Sequence, residues 1–469
     1  MTRVTVISTL FTAWTLAAGT LFAQEALQQP RLVAPATFDD SYTRPPAETS
    51  PSDAPVPYVP AQPADLCCTQ SSCGCEPACG CEEPCCACES SCCCESGCGD
   101  RCGCDGGCDL FGDCCLGDAW TLHDAMDPCC DHTIGGWVSI GYHSDNTRLS
   151  EEPNDLRAFN DQPDHLNLQQ AWVYFEKVAD ADCCSSDWGY RYDIVYGTDA
   201  QKIQSFGNDG GRWDVTFDNG SYGWAMPQAY LEFAQGDWSV KAGRFFTEFG
   251  YETASAPHSF FYSHALTFYN SQAFGHTGVL SSYQAADGLK FYAGWTLGWD
   301  TGFDQLGGGS NWLGGFAADL NDDVTFRYIS AAGDFGYRGE GYAHSLVFDV
   351  DVSDSLNYVL YSGYVNAEDS PVGVGFDGVE DNEEVSIVQY LVYTLNDCWA
   401  AGGRMEWWKS NSVTGESTSF YELTGGINYR AHANLTIRPE IRYDWTPAEE
   451  AVDDDYNNVV FGIDAVLTF

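Results

Sequence analysis

Short segments that alternate apolar and polar residues fill the chain from Ile134 to its last residue, Phe469, and they constrain its fold more than any other feature. A period of two is typical of β-strands with one apolar and one polar face. The segment 435–445 is the clearest example. One face carries Leu435, Ile437, Pro439, Ile441, Tyr443 and Trp445, and the other carries Thr436, Arg438, Glu440, Arg442 and Asp444. Four charged side chains on one face cannot line a dry core, so we expect them to face a solvated interior.

The connections between these segments are alternately long and short. Alternating short turns and long loops are typical of outer-membrane barrels, whose strands place apolar residues toward lipid and polar residues toward the lumen. No segment after the first 25 residues has the roughly 20 consecutive apolar residues of a membrane helix. The sequence therefore predicts an all-β fold, a transmembrane antiparallel up-and-down β-barrel of about 16 strands over residues 131–469, located in the cell outer membrane.

The boundaries follow from the same alternation. Strands are predicted at 134–143, 166–178, 188–197, 225–234, 238–246 and 289–299, with weaker signals in between. Long loops are predicted at 144–165 and 250–275, and a longer acidic connection at 366–382. Hairpin turns are expected at 235–237, 321–323, 353–355, 396–397 and 431–434, where Gly, Asp, Asn and Ser cluster.

The first 130 residues differ in composition. Residues 1–23 have the features of a secretory signal peptide, with Arg3 before an apolar stretch and the small Ala23 before the expected cleavage point. Residues 24–66 are rich in Pro and Ala and lack an apolar period, which predicts a disordered linker. Residues 67–130 hold 20 of the 23 cysteines, and we expect this low-complexity segment to be disordered as well.

Three interpretations of the cysteine-rich segment are open. Its densest clusters contain Cys85, Cys86, Cys88, Cys92, Cys93 and Cys94. Behind a signal peptide, oxidation to disulfides within or between chains is favoured. Metal binding is less favoured because regularly spaced zinc ligands are missing, and an unstructured spacer is the third interpretation. Cys183, Cys184 and Cys398 lie in predicted periplasmic turns, so a disulfide tether between this segment and the barrel is a further hypothesis.

Several motifs resemble a known family when taken together. They are GRFFTEFGYE at 243–252, SFFYSHALTF at 259–268, HTGVL at 276–280, GLKFYAGWTLGWD at 288–300, LNLQQAWVYFE at 166–176 and WGYRYDIVYGTDA at 188–200. This set resembles the outer-membrane β-barrel porin family described as OmpL-like, over roughly residues 131–469. The resemblance implies a passive outer-membrane pore without catalytic residues. The cysteine-rich segment departs from the usual pattern of that family.

The loop 250–275 is the candidate constriction. A barrel of about sixteen strands leaves an interior too wide for its own side chains to fill. The loop is too apolar to lie in water, so we expect it to fold into the lumen, whereas the alternative places it over the outer rim or in an extra hairpin. The candidate constriction residues are Glu248, Glu252, Phe260, Phe261, Tyr262, Phe268 and Tyr269.

Charged residues at inward positions are the candidate pore lining. They are Arg191, Asp193, Lys241, Arg327, Arg404, Glu406, Arg438, Glu440, Arg442 and Asp444. Carboxylates on the loop opposite arginines on the wall would set up a transverse field that orients dipolar solutes. The alternative, compatible with the first, is that these charges pair across neighbouring strands.

The formal net charge of −48 argues against nucleic acid as a partner. Acidic stretches at 380–384 and 449–455 should concentrate cations at the mouth, which predicts weak cation selectivity. The expected partners are outer-membrane lipids, small hydrophilic solutes and the barrel assembly machinery, which would recognise the terminal Phe469. A homotrimer is open, and no cofactor and no confident metal site are expected.

Two other functions are alternatives to a pore. An outer-membrane phospholipase would use a histidine and a serine, but His143 falls on the predicted lumen face and Ser144 begins a loop, so we expect no enzyme activity. A structural envelope protein, whose barrel anchors a disulfide-crosslinked cysteine-rich layer, is the better alternative. It predicts high-molecular-weight species that vanish on reduction.

Overall fold

A computed structural model describes residues 116–126, 131–145, 159–181, 185–207, 213–214, 218–371, 380–448 and 456–469. The predicted signal peptide, the linker and the six densest cysteines, from Cys85 to Cys94, lie outside these residues. Cys183 and Cys184 also lie outside them, as do residues 449–455 of the acidic stretch near the C-terminus.

The described residues form one antiparallel sheet that closes on itself. Its seventeen strands are β1 Thr133–His143, β2 Asn167–Lys177, β3 Ser186–Gly197, β4 Gly223–Ala225, β5 Ala229–Gln235, β6 Trp238–Phe246, β7 Gly275–Ala286, β8 Leu289–Trp299, β9 Ser310–Asn321, β10 Val324–Asp334, β11 Glu340–Ser353, β12 Leu356–Glu368, β13 Asn382–Asn396, β14 Trp399–Ser410, β15 Thr418–His432, β16 Leu435–Trp445 and β17 Asn458–Thr468. Each strand pairs with the next except that β4 does not pair with β5, and β1 pairs with β17. Because β4 and β5 both pair with β3, the wall has 16 strand positions. The predicted all-β barrel of about 16 strands is confirmed.

Among the described residues, three short α-helices lie before or between the strands: α1 Leu122–Met126, α2 Ala200–Ile203 and α3 Leu266–Asn270. Within the described ranges, no helix has the length and apolar character needed to span a bilayer.

The break between β4 and β5 was not predicted, since the alternation suggested one strand over 225–234. Pro227 lies in the gap and has no N–H to donate to a ladder. The Gln228 carbonyl still accepts a hydrogen bond from Asp193 N at 2.9 Å, so the chain between β4 and β5 remains alongside β3.

Short turns lie at one end of the barrel, where the predicted hairpins at 235–237, 321–323, 353–355, 396–397 and 431–434 are found. Gly236 and Gly288 occupy two of these turns with φ of +54° and +69°, a left-handed conformation that glycine adopts without a steric cost. Thr133 and Thr468 lie at the same end. In an outer-membrane barrel this is the periplasmic end, and the long connections face outward.

The outer face carries an aromatic band near the short-turn end. The band is formed on β6 to β11 by Trp238, Tyr283, Phe291, Phe316, Phe326 and Phe348, which lie opposite their neighbours in the register except that Phe316 and Phe326 are offset by two residues. Ring centroids are 5.4 Å apart for Trp238 and Tyr283 and 4.6 Å apart for Phe326 and Phe348. Trp238 is 55% exposed. Such a band is typical of the interfacial girdle that holds a barrel at the edge of the hydrocarbon layer.

The inner face differs from the prediction that it would be polar throughout. Trp137, Trp172, Leu313, Ile329 and Val359 point inward and are buried. They belong to apolar clusters that also contain Phe249, Phe261 and Phe268 from the connection between β6 and β7. Apolar side chains are stable on this inner face because another segment of the chain covers them.

Candidate functional site

The connection between β6 and β7, residues 247–274, lies against the inner wall and is called here the lumen loop. It contains a short 3₁₀ helix, Ala256–His258, and α3. Phe261, Tyr262 and Phe268 are buried, while Phe260 and Tyr269 are partly buried. The candidate constriction residues therefore lie inside the barrel, and their effect on conductance stays a prediction.

Two glutamates of the wall hold the loop through its backbone N–H groups. Glu406 on β14 accepts hydrogen bonds from Leu266 N at 2.6 Å and Thr267 N at 2.7 Å, and also from the Thr267 hydroxyl. These N–H groups begin α3, where a helix has no backbone acceptors of its own and a carboxylate is favoured. Glu440 on β16 accepts from Tyr262 N at 2.9 Å and Ser263 N at 3.0 Å.

Three arginines of the wall hold the loop through its carbonyl oxygens. Arg404 donates to Ser263 O at 2.7 Å, and Arg442 donates to His264 O at 2.5 Å. Arg438 donates to Ala256 O at 2.8 Å and also to Ser259 O. The alternating charges of β14 and β16 thus satisfy both kinds of backbone group in a segment without regular secondary structure, which a buried loop requires.

The same arginines form ion pairs along the wall. Arg404 contacts Glu422 at 2.8 Å, Arg438 contacts Asp464 at 2.5 Å, and Arg442 contacts Asp444 at 2.8 Å. On β3, four pairings away from β16, Arg191 contacts Asp193 at 2.7 Å and Glu176 at 3.4 Å. Arg404 is only 1% exposed. These contacts orient the guanidinium groups that hold the loop.

Glu252 is the carboxylate that the loop itself contributes. Its carboxylate contacts Arg404 at 2.9 Å and His264 Nδ1 at 3.0 Å, and it accepts a hydrogen bond from the Tyr390 hydroxyl at 2.9 Å. Burial raises the pKa of Glu252, but Arg404 and His264 outweigh burial and lower that pKa to about 2. The carboxylate therefore remains ionised at any ordinary pH.

The loop contains two partly buried histidines, His258 and His264, of which His264 contacts Glu252. Burial, with a smaller contribution from Arg191, lowers the pKa of His258 to about 4. Burial also lowers the pKa of His264, although the hydrogen bond to Glu252 opposes that change. Both rings are neutral near pH 7, so docking of the loop holds them in an uncharged form.

Glycines of the wall receive the aromatic side chains of the loop. A Cβ built on Gly402 would lie 2.4 Å from the Phe260 ring, and one on Gly141 would lie 2.8 Å from the Tyr262 ring. Gly462 also faces Tyr262, at 2.9 Å. Sequence reasoning missed these residues, although glycine at inward positions of β1, β14 and β17 was the available signal.

The other candidate pore-lining residues have different surroundings. Arg327 on β10 is buried and donates to Gly250 O. Lys241 on β6 is partly exposed and lies 5.2 Å from the centre of the Tyr230 ring. Glu248 is partly buried at the start of the loop. A small cavity lies where Gln170, Tyr262 and Arg438 meet.

One stretch of wall carries polar atoms that no described residue satisfies. On β13 these are both side-chain atoms of Asn382, Glu384 Oε1 and Ser386 Oγ, and Gln272 of the loop adds both atoms of its amide. All four residues are at most 1% exposed. Buried polar groups without protein partners are normally satisfied by water.

Acidic side chains predominate on the inner wall near the short-turn end. Asp319 on β9 and Asp351 on β11 are exposed, and Asp349 is partly exposed. Asn357 donates to Asp349 at 2.6 Å and to Asp351 at 3.2 Å. Within the described part of the chain, no three His, Cys, Asp or Glu residues are grouped as metal ligands would be.

Part of the predicted acidic mouth belongs to the wall. Glu384 was expected in a loop, but it lies on β13, is buried, and contacts Arg338 at 3.3 Å. The strand begins at Asn382 and its side chains alternate between the two faces. Glu384 therefore points to the lumen, whereas Glu383 points outward and is exposed. Only Glu380 and Asp381 of this stretch remain outside the strands.

His143 and Ser144 do not form a nucleophile and base pair. The His143 ring Nδ1 lies 2.5 Å from Asp145 O, and Ser144 Oγ accepts a hydrogen bond from Phe461 N at 3.0 Å. The backbone of Phe469 exchanges two 2.9 Å hydrogen bonds with Gly136 and so extends the pairing of β17 with β1 that closes the barrel. Its recognition during assembly stays a prediction.

Comparison with known families identifies the barrel. The model of the family described as "Putative beta-barrel porin-2, OmpL-like" matches residues 131–469. The chain belongs to this family. It is therefore an outer-membrane β-barrel of the porin type, and the family match begins just before β1.

Solved structures with similar folds include three outer-membrane barrels. The channel DcaP of Acinetobacter baumannii is 11% identical with a TM-score of 0.48, covering 72% of this chain and 97% of that one. OmpT of Vibrio cholerae, in its trimer form, is 12% identical with a TM-score of 0.46, covering 72% and 99%. A mutant of the Rh. blastica porin is 9% identical with a TM-score of 0.44, covering 72% and 100%. No curated protein matches this chain.

Proposed function

We propose that this OmpL-like barrel lets small hydrophilic solutes and ions cross the outer membrane by passive diffusion, past a lumen loop that narrows the passage. The carrying observation is the docking of that loop on charged residues of β14 and β16. A loop held by charge-assisted contacts at fixed points sets a reproducible aperture, whereas a loop packed only by apolar contacts would not specify its position as strictly.

The contact between the loop and β14 to β16 is closed by direct hydrogen bonds, so the passage in this proposal lies away from that contact. Asn382, Glu384 and Ser386 on β13 are at most 1% exposed, so their unsatisfied polar atoms do not line the passage.

Weak cation selectivity is the second part of the proposal. Arg404, Arg438 and Arg442 are buried in ion pairs, so they offer little attraction to passing anions. Asp319, Asp349 and Asp351 line the periplasmic vestibule and would attract cations. The net charge of −48 acts in the same direction at the surface.

The transport proposal includes no chemical step. His143 and Ser144 each bond to backbone groups and not to each other. We expect outer-membrane lipids around the aromatic band and the barrel assembly machinery as a transient partner during insertion. A homotrimer is an assembly that chemical crosslinking can test, and one solved structure of Vibrio cholerae OmpT is of a trimer form.

The test is the reversal potential of the purified chain in a planar bilayer under a KCl gradient. We expect a reversal potential whose sign indicates cation selectivity. The double change Asp349→Asn with Asp351→Asn should move that reversal potential toward zero. Glu340→Gln, at an exposed position at the start of β11, is the matched control. A reversal potential whose sign indicates anion selectivity in the unchanged protein would contradict the proposed cation selectivity.

A structural role as an envelope anchor is the second candidate. One observation favours it: Cys398, at the short-turn end, is disulfide-bonded. The two roles are compatible, since anchoring concerns the periplasmic end and conduction concerns the lumen. Anchoring predicts crosslinked species on non-reducing gels that disappear when a reductant is added.

A further inference from the structure

Polar side chains lie on the outer face of four neighbouring strands, β10 to β13, where a barrel normally presents apolar residues to lipid. The residues on either side of each one in the sequence are buried and face the lumen, so these side chains point outward, and each is partly exposed. They form what is called here the polar patch, which consists of Ser330 on β10, His344 on β11, Ser362 on β12 and Gln389 on β13.

The polar patch lies near the middle of the lipid-facing surface. Four residues correspond to about 10 Å along the membrane normal, because a strand rises about 3.4 Å per residue and tilts by about 40°. The apolar surface of an outer-membrane barrel is about 25 Å tall, so the patch faces hydrocarbon and not lipid headgroups. Each member is four residues from an outward aromatic residue near the short-turn end of its own strand, namely Phe326, Phe348, Tyr358 and Tyr393 respectively.

Two members of the polar patch keep polar atoms without a partner among the residues that the structure describes. Gln389 accepts a hydrogen bond from the Tyr358 hydroxyl at 2.9 Å, which leaves its amide N–H groups over. The His344 Nδ1 lies 2.7 Å from the Tyr328 hydroxyl, which leaves Nε2 over. Lipid tails form no hydrogen bonds, so these atoms are stable at this depth only when protein covers them.

The two serines of the polar patch supply the opposite kind of group. Ser330 donates to Gly314 O and Ser362 donates to Ser386 O, both at 3.2 Å. Each hydroxyl oxygen can still accept a hydrogen bond. The patch therefore carries amide donors and hydroxyl acceptors side by side, and such a surface is complementary to a second copy of itself. Hydrogen bonds from serine, histidine and glutamine are also a recognised way in which proteins associate within a bilayer.

The opposite face of the barrel is apolar or aromatic at the same depth. β3 lies eight pairings from β12, which is half-way round the wall of 16 positions. Tyr192 and Ile194 on β3 are 47% and 48% exposed, and Val173 and Phe175 on β2 are each 44% exposed. Lipid covers such a face without cost, so the need for a protein partner is confined to one side of the barrel.

The size of this face suits a specific contact. Four strands at about 4.8 Å each, over a height of about 25 Å, present about 500 Å² per copy. Two copies together would bury about 1,000 Å², which is the size from which specific interfaces begin.

We propose that the outer face of β10 to β13 is the surface on which a second copy of this chain packs within the membrane. The copies lie side by side with the same orientation, and the polar patch of each is withdrawn from lipid. None of the four residues faces the lumen, so this assembly forms whether or not the pore conducts.

Photocrosslinking of the full mature chain in outer membranes tests the contact directly. A benzophenone side chain is placed at Ser362, or at Tyr192 on the opposite face as the matched control, and the irradiated membranes are reduced and denatured before electrophoresis. Reduction removes any contribution from disulfides. We expect a product of two chains from the Ser362 position and not from the Tyr192 position, with mass spectrometry finding peptides of this chain alone. No product from Ser362, equal products from both positions, or a product that contains another protein would overturn the proposal.

The molar mass in a mild detergent gives a second readout, measured by light scattering in the presence of a reductant. The unchanged chain should have the mass of two or more copies, and the double change Gln389→Leu with Ser362→Ala should lower it to that of one. Val279→Leu, four residues from Tyr283 on the outer face of β7, is the matched control and should keep the assembled mass. Resistance to detergent denaturation on unheated gels shows that each variant is folded. An unchanged chain with the mass of one copy, or a folded double variant that stays assembled, would contradict the assignment.

Discussion

Glu406 connects the wall to the first turn of α3 by three hydrogen bonds, two of them from backbone N–H groups. A hydrogen bond contributes about 0.5–1.5 kcal/mol, and a buried donor that loses its acceptor costs about 1–3 kcal/mol. This single side chain therefore contributes more to the position of the lumen loop than any one of its aromatic contacts.

Glu406→Ala should weaken docking of the lumen loop by about 3–5 kcal/mol, because two backbone donors and one hydroxyl lose their acceptor. We expect larger and noisier single-channel currents together with a lower unfolding temperature. Glu406→Gln keeps one acceptor oxygen and should give an intermediate effect. Currents in Glu406→Ala that match the unchanged protein would show that the loop does not depend on this contact.

Gly402→Ala should destabilise the barrel by about 1–3 kcal/mol, since the new Cβ would overlap the Phe260 ring. Gly425→Ala on β15 is the matched control, because a Cβ there has no atom within 4 Å. Thermal unfolding of both variants measures the difference. Equal unfolding temperatures would mean that Phe260 is not seated against Gly402.

Acidification should loosen the lumen loop between about pH 6.5 and 4. His258 is neutral when docked, with a pKa near 4, and takes up a proton below about pH 6.5 when released. Docking is therefore strongest above pH 6.5 and weakens as pH falls, by about 2 kcal/mol at pH 5. Glu252, with a pKa near 2, stays ionised in this window.

Single-channel currents at pH 7 and pH 5 measure this dependence, and we expect more open and noisier currents at pH 5. His258→Gln should flatten the response. His344→Gln should leave the response unchanged, because the His344 ring is hydrogen-bonded to the Tyr328 hydroxyl on the outer face. Identical currents at both pH values would contradict the assignment of His258.

At the scale of elements, the lumen loop accounts for the unusual inner face of this barrel. Trp172, Leu313 and Ile329 would be unfavourable in a water-filled lumen, yet they are buried under the loop and its neighbours. The loop and the wall therefore stabilise each other, and removal of either leaves an apolar surface in water.

Replacing residues 251–273 by a short Gly-Ser linker should raise conductance several-fold, because a wall of 16 positions encloses an aqueous channel when nothing fills it. The same change should lower the unfolding temperature, since the apolar inner residues become exposed. Bilayer recording and thermal unfolding measure the two effects. A stable variant with unchanged conductance would place the constriction elsewhere.

Strand positions could be predicted from the sequence wherever polar and apolar residues alternate strictly. β16 is an example, and the turns at 321–323 and 353–355 follow from their Asn, Asp and Ser residues. β12 gives a weaker signal because its inward residues include Val359, Tyr361 and Val365. Both of its faces are then apolar, and the period of two disappears.

The contacts of the lumen loop could not be predicted in detail. Glu406 meets Leu266 across 140 positions of sequence, and Glu440 meets Tyr262 across 178. Such contacts have no local signature, because they depend on the closure of the barrel. The apolar composition of the loop predicted that it would be covered, but not which charges would cover it.

For the whole molecule, the barrel combines a lipid-facing exterior, a lumen narrowed by its own chain, and a periplasmic rim to which residues 116–120 are docked. The family match spans only the barrel, residues 131–469. The barrel is therefore the part that carries the porin-type function, and the cysteines before it form a separate addition.

Single-channel recording of the full mature chain in a planar bilayer is the most direct test of the central claim, which is conduction past the docked lumen loop. Discrete steps are predicted for the unchanged protein, and larger steps when residues 251–273 are replaced. A correctly inserted barrel that shows no steps, and still shows none after the loop is replaced, would contradict the pore and leave the envelope anchor as the better account.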